Sequence, residues 1–333
     1  MRKLYLLALV GSFLAGYTLR SRDISFDFDL FNKSAPSVVA VDSPIAPASE
    51  LAEQVEPKPA DTIRVASFNI QVFGQSKANK PEVIKDLVEV VRHFDIVAIQ
   101  EIRSRDQTLI PNFVAMINSD GSQYAYEIGP RLGRTSSKEQ YAYLFNTRTI
   151  EIDRTRTYTV DDKQLDRMHR EPLVSFFRTR TGNPGEAFTF KLVNVRTDPD
   201  DVPEEMNALD DVYLDVLDDG DNEDDVIMLG DFNTSVKKLY EFGGISEISW
   251  ALDGVKTNTL RTRSYDNIFF HADKTREFNG RAGVFDLVRE LNLTTQQALA
   301  ISDHLPVWAE FSAFESRDAG RLATRPEEVQ KPR

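Results

Sequence analysis

What most constrains this chain is a set of short apolar runs that each stop at, or start from, a polar residue. VASF precedes Asn69 and DIVAIQ precedes Glu101. VIMLG precedes Asp231 and Asn233, SYDNIFF carries Asp266, and LPVWAEF follows directly on Asp303-His304. DIVAIQ and DVIMLG are near-continuously apolar and bounded by polar residues, which marks strands buried on both faces. In layered folds, polar groups at several strand ends converge on one rim, where a site is usually built. Carboxylates beside buried strands are costly unless a cation or hydrogen bonds balance them.

The rest of the pattern fits the same plan. IRVASFNI alternates as a strand does, and QYAYLFN, EPLVSFFRT and AFTFKLVNV read as further strands. Pro81 to His93 has helical spacing, with Pro81 at its start and Val83, Leu87, Val90 and Val91 on one face. Asp201 to Leu217 is a second helix. Strands outnumber helices, and their adjacency suggests antiparallel pairing, so two packed sheets with helices outside are expected. A chain of 333 residues could hold two domains, but α/β folds of this size often stand as one, and one domain is expected over residues 62–313.

The flanks differ in composition. Met1-Arg2-Lys3 precedes an apolar run from Leu4 to Leu19, with Arg20 and Arg22 beyond it. A basic start before an apolar stretch matches a secretory signal. The run is shorter than the roughly 20 residues of a typical spanning helix. No A-x-A site and no lipobox cysteine follow it, so residues 1–20 are either a cleaved signal peptide or an N-terminal membrane anchor, and export is expected in both cases: periplasmic, extracellular or membrane-anchored. Residues 21–61 are rich in Pro, Ala, Ser and Glu and read as a disordered linker, able to span roughly 35 Å. Residues 314–333 read as a disordered tail.

With no cysteine and only four histidines, any metal must be held by oxygen or imidazole, and an oxygen-rich site for a hard cation is the better fit. The net charge of -13 argues against whole-surface attraction to nucleic acid, but leaves room for a local cleft where arginines and metal reverse the field. The acidic run from Asp218 to Asp225 lacks the ordered spacing of a calcium loop and reads as a solvated helix–strand connection.

FNIQVFG, DIVAIQEIR, GRTSSKEQYAYLF, REP, LDDVYLDV, MLGDFN, YDNIFF and ISDHLPV, in this order and spacing, resemble the pancreatic-type deoxyribonuclease branch of the endonuclease/exonuclease/phosphatase superfamily over nearly all of Ile63 to Phe311. The resemblance implies a four-layer α/β sandwich, with two packed mixed β-sheets flanked by helices. It also implies a metal-dependent endonuclease that hydrolyses DNA, and a monomer is expected. Glu101 resembles the principal metal ligand, supported by Asn69 and Asp303, with Mg²⁺ expected and Ca²⁺ or Mn²⁺ as alternatives. Asp231 and Asn233 would orient the attacking water and bind phosphate. His304, paired with Asp266, is similar to the acid/base histidine. Arg103 and Arg170 resemble phosphate-contacting arginines, and Arg134 is a further candidate for contact with an extended polyanion. Glu139 resembles a carboxylate that braces a second catalytic histidine.

That second histidine is missing. The strand ends in VNVRTDP, placing Arg196 there, and arginine cannot shuttle a proton. It can hold a phosphoryl oxygen and pair with Glu139. Ser137 likewise replaces a groove-contacting tyrosine, and His169 is the alternative proton carrier. Two competing readings follow from these departures: a phosphodiesterase or phosphatase acting on a lipid headgroup or nucleotide, and a catalytically weakened binding protein.

Overall fold

A computed structural model describes residues 57–161 and 166–316. The N-terminal apolar segment, most of the linker and the tail beyond Ser316 lie outside the described residues. No helix among the described residues is long and apolar enough to cross a membrane.

The alternating run near the start becomes β1 (Thr62–Phe73). A short α1 (Gln75–Ala78) and α2 (Pro81–Arg92) lead into β2 (Ile96–Ile102). Then come α3 (Leu109–Ile117), β3 (Tyr124–Ile128), β4 (Gln140–Asn146), β5 (Ile150–Thr159), β6 (Leu173–Thr179) and β7 (Thr189–Arg196). The long α4 (Val202–Leu217) leads to β8 (Val226–Asp231). β9 (Ile248–Trp250), β10 (Asp266–His271), β11 (Phe278–Val284), α5 (Leu287–Glu290), α6 (Thr295–Ile301) and β12 (Val307–Ser312) complete the order.

These strands form two six-stranded mixed sheets, ordered β11-β12-β1-β2-β4-β3 and β5-β6-β7-β8-β10-β9. Side-chain alternation assembles the layers. Val65, Ile96 and Ala98 of the first sheet meet Leu192, Ile227, Leu229 and Ile268 of the second in one buried cluster. The alternate residues Val97 and Ile99 turn the other way, onto Leu87 and Val91 of α2 and Phe113 of α3. Val193, Val195 and Met228 of the second sheet pack on Leu209 and Val212 of α4. The result is a helix–sheet–sheet–helix α/β sandwich.

Antiparallel pairing holds for most neighbours, but β1–β2 and β7–β8 are parallel. Each of these pairs is joined across a helix, α2 in one case and α4 in the other, and only such a crossover can return the chain in the same direction. Edge strand β5 is IEIDRTRTYT, and its polar, half-exposed character hid it from the apolar-run criterion.

Gly230 fixes the β7–β8 pair. A Cβ at this position would lie 1.9 Å from the Val195 carbonyl oxygen, so only glycine permits the close approach that sets Arg196 opposite Asp231. Gly230→Ala is therefore expected to destabilise the fold by about 3 kcal/mol, at the upper end of overpacking costs. Urea unfolding monitored by circular dichroism checks this, and an unchanged midpoint would contradict it.

Candidate active site

Each strand end identified from sequence opens on the same rim. β1 and β2 both break register there, between Asn69 and Phe73 and around Glu101. Glu101 takes a left-handed backbone with φ 61°, uncommon for a non-glycine residue, and Gln71 and Val72 do the same. The bulge delivers two hydrogen-bond donors to the Glu101 carboxylate. The Val72 N–H donates to Oε2 at 2.9 Å and the Asn69 Nδ2 to Oε1 at 3.2 Å. Asn69 is itself fixed, since its Oδ1 accepts from the Gln71 N–H at 2.9 Å. Burial alone would raise the pKa of Glu101, but Arg196 and Arg103 outweigh it and hold the group ionised below the usual glutamate range.

Asp231 extends the chain of contacts. Its Oδ2 accepts from the Asn69 Nδ2 at 2.9 Å, and its Oδ1 accepts from the Asn233 N–H at 3.1 Å. Asn233, also left-handed, donates its Nδ2 to the Thr197 carbonyl oxygen at 3.0 Å. Burial, with the negative charge of Asp266 nearby, moves Asp231 above the ordinary aspartate range.

His304 sits beside it. Its Nδ1 lies 2.9 Å from Asp266 Oδ2, and the Thr257 hydroxyl donates to that same oxygen at 2.7 Å. The carboxylate contact places a proton on Nδ1 and leaves Nε2 facing the cleft. That nitrogen is 3.8 Å from Asp231 Oδ2 and 3.9 Å from Asp303 Oδ1. Burial disfavours a charged ring, yet Asp266, Asp231 and Asp303 prevail and hold the imidazolium up to a pKa of about 10.

Three arginines surround the buried Glu139: Arg103 at 2.7 Å, Arg170 at 3.1 Å and Arg196 at 3.6 Å. The expected Arg196–Glu139 pairing is thus present, but the tighter contact of Arg196 is elsewhere. Its Nη2 lies 2.8 Å from Glu101 Oε1, and its Nε lies 3.8 Å from Asp231 Oδ2. The Arg196 backbone N–H donates to the Tyr141 hydroxyl at 3.0 Å, which fixes the strand end. Arg196 Nε and Nη1, Arg103 Nε and Arg170 Nε are buried without a hydrogen-bond acceptor.

Two candidates behave differently. Arg134 lies on an exposed loop against Asp166 and contacts none of the residues above. His169 is held between Asp198 at 3.3 Å and Asp201 at 2.8 Å, and so is turned to those carboxylates rather than to Glu139.

Sequence reasoning did not find several supporting residues. The Ser302 hydroxyl donates to the Asn69 carbonyl oxygen at 2.6 Å and accepts from the His304 N–H at 3.0 Å, tying two distant motifs together. Buried Lys77 donates to the carbonyl oxygens of Ile70 at 2.6 Å and Gln71 at 2.7 Å, bracing the bulge; burial lowers its pKa to about 8. Thr257 and Tyr141 complete the set. Only the ISDH motif gave a signal, through Ser302; the others lie in segments whose local pattern is ordinary.

The residues present fit a hard divalent cation. Glu101 and Asp303 offer carboxylate oxygens at the cleft, and Asp303 Oδ1 is buried without a hydrogen-bond partner. The tightest acid–imidazole group, Asp231, Asp266 and His304, is less suited, because the His304 imidazolium within it has no lone pair to offer and repels a cation.

A two-sheet α/β sandwich with this rim defines a class: the chain belongs to the endonuclease/exonuclease/phosphatase family, whose model matches residues 66–304. Within it the chain matches deoxyribonucleases of the pancreatic type. It is 34% identical over 261 residues to deoxyribonuclease-1-like 1 of Bos taurus, covering 74% of this chain and 80% of that protein. It is 32% identical over 262 residues to deoxyribonuclease-1 of Bos taurus, covering 74% and 91%. Among solved structures, a humanized D. rerio TDP2 aligns with a TM-score of 0.53 at 13% identity, over 77% of this chain and 100% of that one. A conserved protein from Enterococcus faecalis does so with 0.53 at 16% identity, over 75% and 100%. At these identities the structural likeness is one of fold.

Proposed function

We propose that this protein is a metal-dependent phosphodiesterase that hydrolyses DNA as an endonuclease. The observation that carries the reading is one unbroken chain of contacts, Asp266–His304–Asp231–Asn69–Glu101, bordered by three arginines. The deoxyribonuclease relatives support DNA as the substrate. Glu101, Asn69 and Asp303 would hold the cation, with Mg²⁺ proposed and Ca²⁺ or Mn²⁺ as substitutes. A bound cation supplies charge neutralisation at a phosphoryl oxygen.

The chain's own groups account for the remaining chemistry. Asp231, raised by burial, orients the attacking water with Asn233 and accepts its proton. The water oxygen forms the new P–O bond as the bond to the 3′ oxygen breaks, and the His304 Nε2 proton passes to that leaving oxygen. The acceptor-free N–H groups of Arg196 and its neighbours bind non-bridging oxygens and stabilise charge in the transition state. This local arginine cluster, together with a bound cation, is how a protein of net charge -13 would admit a polyanion. The basic and apolar N-terminal segment supports export, as a cleaved signal or as an anchor.

The test is direct. Full-length protein with supercoiled plasmid and Mg²⁺ should give nicked and then linear DNA, and EDTA should abolish the reaction. Plasmid left intact in Mg²⁺ would exclude the nuclease reading.

Arg196 gives a sharper test. Arg196→His restores an imidazole beside Glu139 and removes a cation from Glu101, so cleavage should rise about 10-fold or more on the acid/base scale. Arg196→Ala should fall below wild type. If Arg196→His loses activity while Arg196→Ala is neutral, the guanidinium does not bind phosphate.

A further inference from the structure

At the opposite end of β8 from Asp231, a second set of acids is assembled from three separate stretches of chain. Asp225 immediately precedes β8, Glu277 immediately precedes β11, and Glu315 follows β12. One carboxylate oxygen from each lies within 4.8 Å of the others. Six residues of extended chain put this cluster roughly 20 Å from Asp231.

Acidic clusters are common on surfaces, but two of the three members of this one are buried. Asp225 is 5% exposed and Glu277 3% exposed. Each carboxylate has a backbone or hydroxyl donor, or a free oxygen, in a consistent pattern. Glu277 accepts from the Ser316 N–H on Oε1, and its Oε2 has no partner. Glu315 accepts on Oε1 from the Thr189 N–H at 2.8 Å and hydroxyl at 3.1 Å. Asp225 Oδ1 has no partner. The Thr275 hydroxyl, 1% exposed, is buried beside the Asp225 carboxyl and has no hydrogen-bond partner outside the cluster.

Among the described residues, no lysine or arginine is within ion-pair distance of Asp225, Glu277 or Glu315, and the neighbouring Lys274 is engaged by Asp224 at 2.8 Å. Burial, with Glu277 and Glu223 adding repulsion, pushes Asp225 up to about 9. Buried carboxylates in such company are stable only when protonated or when they coordinate a cation.

We propose that Asp225, Glu277 and Glu315, with the Thr275 hydroxyl, form a calcium site that clamps the two sheets together at the end remote from the catalytic rim. The donor set is all oxygen, as calcium prefers, and the irregular mix of carboxylates and a hydroxyl suits its flexible geometry better than the strict octahedron of magnesium. Half-buried Glu315 provides the entry side. Glu277 and Glu315 belong to chain flanking the first sheet, whereas Asp225 and Thr189 open strands of the second. A cation shared among them would also pin the chain end after β12.

Thermal unfolding tests this in the Glu101→Gln background, which weakens any cation binding at the catalytic rim. Chelated and dialysed protein is compared with protein in CaCl₂. Calcium at about 100 times its dissociation constant should raise the melting temperature by roughly 5–10 °C. Adding Glu277→Gln should abolish that rise and remove one equivalent of bound ⁴⁵Ca²⁺ in equilibrium dialysis. Without calcium, Glu277→Gln should melt no lower than its parent, because it removes a like charge from the cluster. Three results would overturn the site: a calcium shift that persists in the double variant, no calcium shift in Glu101→Gln, or a Glu277→Gln protein that is already unfolded without calcium. The last would mean that the carboxylate is held by protein groups alone.

Discussion

His304→Ala should remain folded and cleave DNA about 10² to 10⁴ times more slowly than wild type, the usual cost of losing a positioned acid/base group. Its ring touches Asp266, and its Nε2 faces Asp231 and Asp303 across open cleft. Removing it leaves the sheet cores intact. The companion variant Asp266→Asn identifies the direction of proton transfer. If His304 donates a proton, activity requires the imidazolium and fails as pH rises through its pKa. Asp266 is the leading charge that raises that pKa, so Asp266→Asn should move the alkaline limb of kcat/KM to lower pH. A folded His304→Ala protein at wild-type rate would refute the assignment, and an alkaline limb that moves upward in Asp266→Asn would refute the donor role.

Glu101→Gln is expected to lose most activity, by about 10² or more, since metal-derived charge stabilisation is worth several kcal/mol and each 1.36 kcal/mol is tenfold. The substitution keeps the size of the side chain but removes its charge. Arg196 and Arg103 then lose one of the two carboxylates they share and keep only Glu139, so part of the effect will be a loosened arginine cluster. A Mg²⁺ titration separates the two contributions. Weakened metal binding shifts the half-saturating concentration upward, whereas a displaced arginine lowers the plateau. Unchanged turnover in Glu101→Gln, or full activity of wild type in excess EDTA, would remove Glu101 from the metal site.

The strands that carry Asn69, Glu101, Asp231 and Asp266, and the one that follows His304, were legible from sequence because burial on both faces leaves a continuous apolar run, and a polar residue at its end is conspicuous. Helix α2 was legible because Val83, Leu87, Val90 and Val91 repeat at helical spacing, and all four are buried. Edge strands β5 and β11 were not, since a strand covered on one side or less carries no such run.

Contacts across the rim belong to the tertiary structure. VNVRTDP showed that Arg196 ends a strand, but its 2.8 Å contact with Glu101 joins the two sheets and depends on the β7–β8 register that Gly230 permits. Thr257 beneath Asp266 comes from a stretch whose own pattern is unremarkable, and the ISDH motif holds Ser302 but gives no sign that its hydroxyl reaches Asn69. The acidic run Asp218 to Asp225 shows the division most clearly. By spacing it is no calcium loop, and part of it serves instead to neutralise buried Lys191, through Asp219 at 2.8 Å and Asp221 at 2.7 Å. Its last member, Asp225, meets Glu277 and Glu315 only because β8, β11 and the end of β12 arrive at one corner. Hydrophobic periodicity is a local property and can be read along the chain. The electrostatic environment of a carboxylate is set by whatever packs against it, and for Asp231 that includes Asn69, 162 positions away in the chain.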